Sequence, residues 1–411
     1  MRFLHTSDWH LGRALYGKKR DAEFEAFFDW LLTTIESEQI DVLLVAGDIF
    51  DTTTPSHTAQ AHYYRFLYQV SQTCCSHVVI IAGNHDSPTF LTAPQALLKH
   101  LHVHVVGAMS ERIEDEIIVL EKNGEAQAIV CAVPYLRDQD LRRLEAGENL
   151  DDKNKKMGLG LMRHYQEVAQ QAKRLQQQHQ QAGLAALPVI AMGHLFVAGG
   201  KTIDGDGVRD LYVGNLVKTG VDIFPAIFDY VALGHLHVPQ CVAQQEHIRY
   251  SGSPIPMGYG EAGQQKQVVV VDFTQGIRKI STITVPRFQD LVRVVGDLPQ
   301  IQQQLQQLVQ VQSQAWLEVE YTGAERVPHL RQQLEQWVEE STLEILRIKN
   351  PLLIQQTLQA QHQAQQLDEL SPVEVFERCL AAHQVPQAQH PALWHCYQQI
   401  LQQIQEDDQH A

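Results

Sequence analysis

The chain has 411 residues, 44% hydrophobic and 19% charged, a length of more than two average domains of roughly 150 residues and a composition that excludes a wholly disordered protein. No apolar run approaches the ~18 residues of a membrane-spanning helix, which excludes a helical membrane protein. With 32 Lys+Arg against 48 Asp+Glu the net charge is −16, so nucleic acid is not gripped by bulk positive charge and would need a local basic patch, metal ions or a partner.

The start, MRFLHTSDWH, has no apolar signal core, and the cysteines (Cys74, Cys75, Cys131, Cys241, Cys379, Cys396) show no CxxC spacing. A reducing cytoplasm is expected. Up to about residue 285 one local pattern recurs: a short β-branched apolar run that stops at a small residue and a metal-type ligand. The runs are Arg2 to Asp8, Val42 to Asp48, Val78 to Asn84, Val189 to His194 and Tyr230 to His235. Gly47, Gly83, Gly193 and Gly234 directly precede the ligand, as backbone turning sharply at a strand end requires. Helical patterns cover Asp21 to Ser37, Ser56 to Val70 and Thr92 to Leu101, and alternating strands and helices read as a layered α/β domain.

The mixed-charge run Arg137 to Lys156 and the Gln-rich helix Lys155 to Gln181 form an insertion, read as a solvated surface helix. From Leu291 the pattern becomes strand (LVRVVG), helix (Pro299 to Val309), strand (Trp316 to Tyr321), helix (Pro328 to Glu340) and strand (Leu343 to Lys349), a compact α+β unit. Beyond Pro351 the chain is Gln-rich and helical, with a helix start at Ser371-Pro372-Val373-Glu374.

Singly, none of the ligands means much. Together, Asp8/His10, Asp48/Asp51, Asn84/His85/Asp86, His194 and His235/His237 bring carboxylates, an amide and imidazoles to like positions after strands. Oxygen and imidazole donors without thiolate suit Mn²⁺, Fe or Zn²⁺ better than Ca²⁺, Mg²⁺ or a structural zinc cage. More ligands stand here than one ion takes. Two divalent ions sharing a carboxylate would use them and leave positions open for substrate oxygens.

The words D-x-H, G-D-x-x-D, G-N-H-D, G-H and G-H-x-H, met in this order, resemble those of the calcineurin-like metallophosphoesterases. The resemblance implies that Asp8, His10 and His237 ligate one ion, that Asn84, His194 and His235 ligate the second, and that Asp48 bridges them. It implies that His85 stabilises the pentavalent phosphorane and helps protonate the leaving oxygen, while Asp51 and Asp86 orient their neighbours. A closer resemblance, in HTSDWHLG, GDIFD, AGNHDSP and RYSGSPIP and in length, is to the SbcD family, the exonuclease subunits of bacterial SbcCD complexes. That family implies a four-layered metallophosphoesterase β-sandwich flanked by helices over residues 1–285. A small α+β DNA-capping domain over 286–350 and C-terminal helices over 351–411, docking on the coiled coil of the SbcC ATPase subunit, would follow.

Loop Arg13 to Arg20 sets four cations and Tyr16 beside the first ligand pair, so Arg13, Tyr16 and Lys18 are candidate DNA contacts. Tyr63, Tyr64, Phe66, Leu67 and Tyr68 make the 56–70 helix too apolar for a surface helix; core packing is the default reading, and the resemblance implies a homodimer contact with the Leu91 to Leu101 segment, within a heterotetramer. The expected function is a Mn²⁺-dependent DNA phosphodiesterase, a double-strand exonuclease and single-strand or hairpin endonuclease acting with an ATPase in DNA end processing, repair, recombination and replication. A small-molecule phosphodiesterase of the same fold is disfavoured by residues 291–411, and a non-catalytic DNA and ATPase scaffold by the intact ligand set.

Overall fold

The computed structural model describes residues 1–141, 150–198, 200, 220–274, 278–325 and 327–350, with scattered positions between 376 and 397. Two six-stranded sheets stack face to face. In the first, β1 (Arg2–Thr6), β2 (Val42–Ala46), β3 (His77–Ile81) and β4 (Val103–Val106) run parallel, and β11 (Gln267–Asp272) and β12 (Lys279–Thr284) extend it antiparallel beyond β1. The second contains β5 (Ile117–Lys122), β6 (Glu125–Ala132), β7 (Val189–His194), β8 (Tyr230–Gly234), β9 (Gln240–Val242) and β10 (Gln245–Tyr250), in the order β5-β6-β7-β8-β10-β9. Its four middle strands, β6, β7, β8 and β10, are parallel.

Uninterrupted apolar strands such as VLLVA are what a sheet covered on both faces demands, because successive side chains point to opposite sides. Leu44, Ala46, Val79 and Ile81 meet Val130, Ile190, Met192 and Ala232 between the sheets. Leu43, Val45, Val78 and Ile80 face outward onto the core beneath helices α1 (Asp21–Ser37) and α2 (His57–Val70). Helix α1 opens with Asp21 and Glu23 at its positive end and buries Phe24, Phe27, Phe28, Leu31 and Ile35. Helix α2 is capped by Ser56, whose Oγ accepts from Ala59 N at 3.2 Å. It turns Tyr63, Phe66 and Leu67 into the core and leaves Tyr68 60% exposed. The result is the four-layered α/β sandwich expected from the sequence.

Two helix expectations need correction. The segment 92–101 is not one helix: α3 (Pro88–Thr92) ends where it begins, and α4 (Gln95–Lys99) starts only after Pro94, which has no N–H to donate to a continuing helix. After α5 (Asp138–Leu141), helix α6 (Leu150–Gln181) is no solvated surface helix. Leu161, Tyr165, Val168, Ala169 and Ala172 recur at helical spacing and pack against Ile129, Cys131, Val189, Ala191 and Val231 of the second sheet. Its high glutamine content belongs to the other faces.

Strands β13 (Leu291–Gly296), β14 (Trp316–Tyr321) and β15 (Glu344–Lys349) form a three-stranded sheet, with helices α7 (Leu298–Gln310) and α8 (Leu330–Val338) in the connections, in the order read from the sequence. The chain divides into two compact units, one of Met1–Arg293, Leu308–Glu318 and Val338–Arg347, the other of Val294–Gln307, Val319–Trp337 and Ile348–Ala411. In the first unit Leu15, Tyr259, Leu291 and Trp316 form a small separate cluster. In the second, Ile301, Leu305, Val319 and Leu334 are buried. The helix start at Ser371 and most of 351–411 lie outside the described residues. Among the described residues no helix is long and apolar enough to cross a membrane.

Candidate metal centre

Strands β1, β2 and β3 of one sheet and β7 and β8 of the other end at the same edge, so the residues just past them converge, as ligands do at the carboxyl ends of parallel strands. The turns are tight. Asp8 (φ 54), His10 (φ 47), Asp48 (φ 51) and His235 (φ 102) all lie in the left-handed region, which side chains occupy at a cost and only where the surroundings impose it. At two of them backbone bonds fix the turn: Asp8 N donates to Gly47 O at 3.0 Å and His10 N to Asp48 O at 3.0 Å. Gly234 has to be glycine because a Cβ there would collide with the Ala46 carbonyl oxygen of the opposite sheet.

Asp8, His10 and His237 bring one donor atom each within 4.8 Å of one another, and the Nε2 atoms of His10 and His237 face each other at 3.1 Å. On the other side Asn84 Oδ1 lies 3.0 Å from His194 Nε2 and 3.0 Å from His235 Nδ1. Asp48 sits between the two groups, its Oδ2 3.5 Å from His10 Nε2 and 3.4 Å from His194 Nε2. These donors, all buried except the half-buried Asn84, face shared spaces, and they mix oxygen with imidazole. They fit two divalent ions with a common carboxylate.

Protonation differs among the imidazoles, and His237 is raised against its burial by the Glu261 and Asp8 carboxylates. Burial holds His10 down to about 4 and His235 to about 3, keeping both rings neutral with lone pairs to give. Burial would also lower His194, but the carboxylates of Asp48 and Asp8 outweigh it and raise it to about 9. An ion at its Nε2 would displace that proton. Burial works against the charge on Asp48, yet His194 and the neighbouring imidazoles hold its carboxyl well below the usual carboxylate range.

The remaining candidates surround the donors. His85 Nδ1 donates to Asp51 O at 2.9 Å; a carbonyl only accepts, so Nδ1 carries the hydrogen and Nε2 is left for another partner. The His85 ring meets that of His10 edge-on with centroids 4.8 Å apart, and its backbone N–H donates to Asp48 Oδ1 at 2.9 Å. The Asp51 carboxylate lies 3.4 Å from His10 Nδ1 and 3.2 Å from Arg13 Nη1. Asp86 is buried and accepts from Gly83 N (2.8 Å), Ile49 N (3.1 Å) and Phe50 N (2.9 Å), tying the loop after β2 to the loop after β3. Asp8 is held by Ser7 Oγ at 2.5 Å and by His235 N at 2.9 Å.

In the 13–20 loop, Lys18 pairs with Glu344 at 2.6 Å and lies over the Trp316 ring. Tyr16 stacks on Tyr259 with centroids 5.9 Å apart, and the Arg347 guanidinium lies 4.8 Å from the centre of the Tyr16 ring. Arg20 is turned inside, donating to Glu23 at 2.7 Å and to Pro256 O at 2.7 Å. Glu261, Lys266 and Ser253 stand directly behind His237, and sequence reasoning misses all three. No spacing rule links Glu261 to His237; the loop after β10 brings it back, and the one hint is a Glu closing the otherwise uncharged GSPIPMGYGE.

Strand order and donor set together define a calcineurin-like phosphoesterase, and the family model of that description matches residues 1–239. A second, described as a type 5 capsule protein repressor C-terminal domain, matches residues 287–384. The SbcD subunit of the nuclease SbcCD from Escherichia coli (strain K12) is 36% identical over 404 residues, 98% of either chain. That of Rhodobacter capsulatus is 37% identical over 283 residues, 67% of either chain. A solved dimetal phosphatase from Danio rerio aligns over 70% of this chain and 99% of its own at 12% identity, with a TM-score of 0.39. The chain belongs to the SbcD family of nuclease subunits.

Proposed function

We propose that the chain is the Mn²⁺-dependent nuclease subunit of an SbcCD complex, an exonuclease on double-strand ends and an endonuclease on single strands and hairpins, in DNA end processing, repair, recombination and replication. The observation that carries this is the convergence of Asp8, His10, Asp48, Asn84, His194, His235 and His237 on two shared spaces, with His85 beside them but its Nδ1 bound to a carbonyl. When bound there, two divalent ions supply activation of water and neutralisation of charge developing on the phosphoryl oxygens. Asp8, His10 and His237 would hold the first, Asn84, His194 and His235 the second, and Asp48 both.

The chain's own residues supply the rest. Asp51 fixes the His85 tautomer through its carbonyl, so Nε2, once protonated, can stabilise the pentavalent phosphorus and protonate the leaving oxygen. Its carboxylate backs His10, and Asp86 keeps the loops bearing Asp48 and His85 in register. Manganese is favoured over magnesium because so many donors are imidazoles.

In this reading residues 1–285 are the nuclease domain, 286–350 a DNA-capping domain, and 351–411 helices that dock on the SbcC ATPase. Two copies form a homodimer within a heterotetramer that works in the cytoplasm, at the nucleoid when it acts on DNA. Tyr16, 47% exposed, is the most available of the loop's candidate DNA contacts, while Arg13 and Lys18 would exchange Asp51 and Glu344 for phosphates. The test is cleavage of end-labelled duplex and hairpin DNA by the purified chain in Mn²⁺ and in Mg²⁺, with and without the ATPase partner and ATP. Mn²⁺-dependent release of nucleotides, stimulated by the ATPase and ATP, is expected. Turnover of small phosphodiesters without any cleavage of DNA in the complex would refute the nuclease reading.

A further inference from the structure

Each imidazole that faces a shared space has a second nitrogen, and what stands behind that nitrogen decides where the lone pair goes. His194 Nδ1 donates to Ala46 O at 2.9 Å, and His10 Nδ1 has the Asp51 carboxylate at 3.4 Å. His237, whose Nε2 faces His10, has the Glu261 carboxylate behind it, with Oε1 3.3 Å from Nδ1.

Glu261 is fully buried, at 0% exposure, and is no donor to either shared space. Its Oε2 accepts from Ser253 Oγ at 3.1 Å, from Met257 N at 3.2 Å and from Lys266 Nζ. Lys266 is buried too, and Nζ also donates to the His237 carbonyl at 2.9 Å and to Ser253 Oγ at 3.0 Å. The pair thus grips His237 at both ends, the ring through Glu261 and the backbone through Lys266. An ion pair taken wholly out of water gives little or no net stability over apolar residues of like volume, so its place here calls for another reason.

We propose that Glu261, held by Lys266, is a positioning residue that locks His237 as the Nδ1–H tautomer and aims its Nε2 lone pair at the first ion. The carboxylate has only acceptors, so the Nδ1 hydrogen is dictated by chemistry, and Nε2 is left as the metal-facing atom. Lys266 sets an ammonium against the buried Glu261 carboxylate, donating to Oε2 and leaving Oε1 facing the imidazole. This inference rests on the two-ion reading of the centre, and its test separates the two.

The measurement is calorimetric titration of the metal-free full chain with Mn²⁺, together with thermal melting of the same metal-free chain in chelator. For wild type, two ions bind; failure of the wild-type chain to bind Mn²⁺ would defeat the two-ion reading itself. For Glu261→Gln, which keeps the volume, the first ion should bind roughly 10–100-fold more weakly, while the ion held by Asn84, His194 and His235 binds as before. Activity should return at high Mn²⁺, so that the metal concentration for half-maximal rate shifts more than kcat. Should the single variant not fold in chelator, Glu261→Gln with Lys266→Met removes both charges together and is read the same way. A folded variant with unchanged affinity at both sites, or with both sites weakened equally, would overturn the positioning role and leave Glu261 a structural ion pair.

Discussion

Residues 8–10 and 13–20 leave the same strand end, yet they settle in opposite ways. Asp8 and His10 are 0% and 1% exposed, with backbones pinned by Gly47 and Asp48, and their side chains meet ligands from both sheets. The loop that follows keeps Tyr16 half exposed and ties three of its cations, Arg13, Arg20 and Lys18, to Asp51, Glu23 and Glu344. At the strand ends the backbone leaves each side chain one place to go. In the loop, long flexible cations choose among partners, and the partners come from far along the chain.

Four substitutions break or sharpen that contrast. Asp48→Ala, at the meeting of both donor groups, should strip the chain of metal and cut hydrolysis of a chromogenic phosphodiester below any other single change; metal analysis and initial rates check it. His85→Ala should retain both ions while turnover falls about 10²–10⁴-fold, the usual worth of a positioned acid. If it loses an ion while Asp48→Ala keeps two, the assigned roles are reversed.

Arg20→Met tests the one loop cation that behaves like the strand ends. It leaves Glu23 buried and unpaired and frees the Pro256 carbonyl, so it should destabilise by about 3–5 kcal/mol. Denaturant unfolding of the metal-free chain reads this directly, and a change under about 1 kcal/mol would mean that the buried pair relaxes. Lys18→Ala should do least to the fold, within about 1 kcal/mol, because its pair with Glu344 is solvent-exposed. Its value is in DNA binding: if Lys18 swaps Glu344 for a phosphate, the slope of log affinity against log salt should shrink by about one. An unchanged slope would confine the side chain to its intramolecular pair.

Much of the fold and the site is legible in the chain alone, for identifiable reasons. Apolar runs without alternation specify strands covered on both faces, a small residue followed by a ligand marks where each must stop, and parallel strands then deliver Asp8, Asp48, Asn84, His194 and His235 to one edge. These are consequences of covalent geometry and local burial, and they survive in one dimension. The break at Pro94 is equally local, since proline alone sets it, whereas the burial of α6 depends on an apolar stripe hidden by its glutamines. The tertiary structure decided the pairings: Glu261 behind His237, Arg20 onto Pro256, Lys18 onto Glu344 and Arg347 over Tyr16. A charged side chain at the end of several rotatable bonds takes its partner from whatever the fold brings near it, and that neighbour is set by packing of distant segments, which no local spacing records.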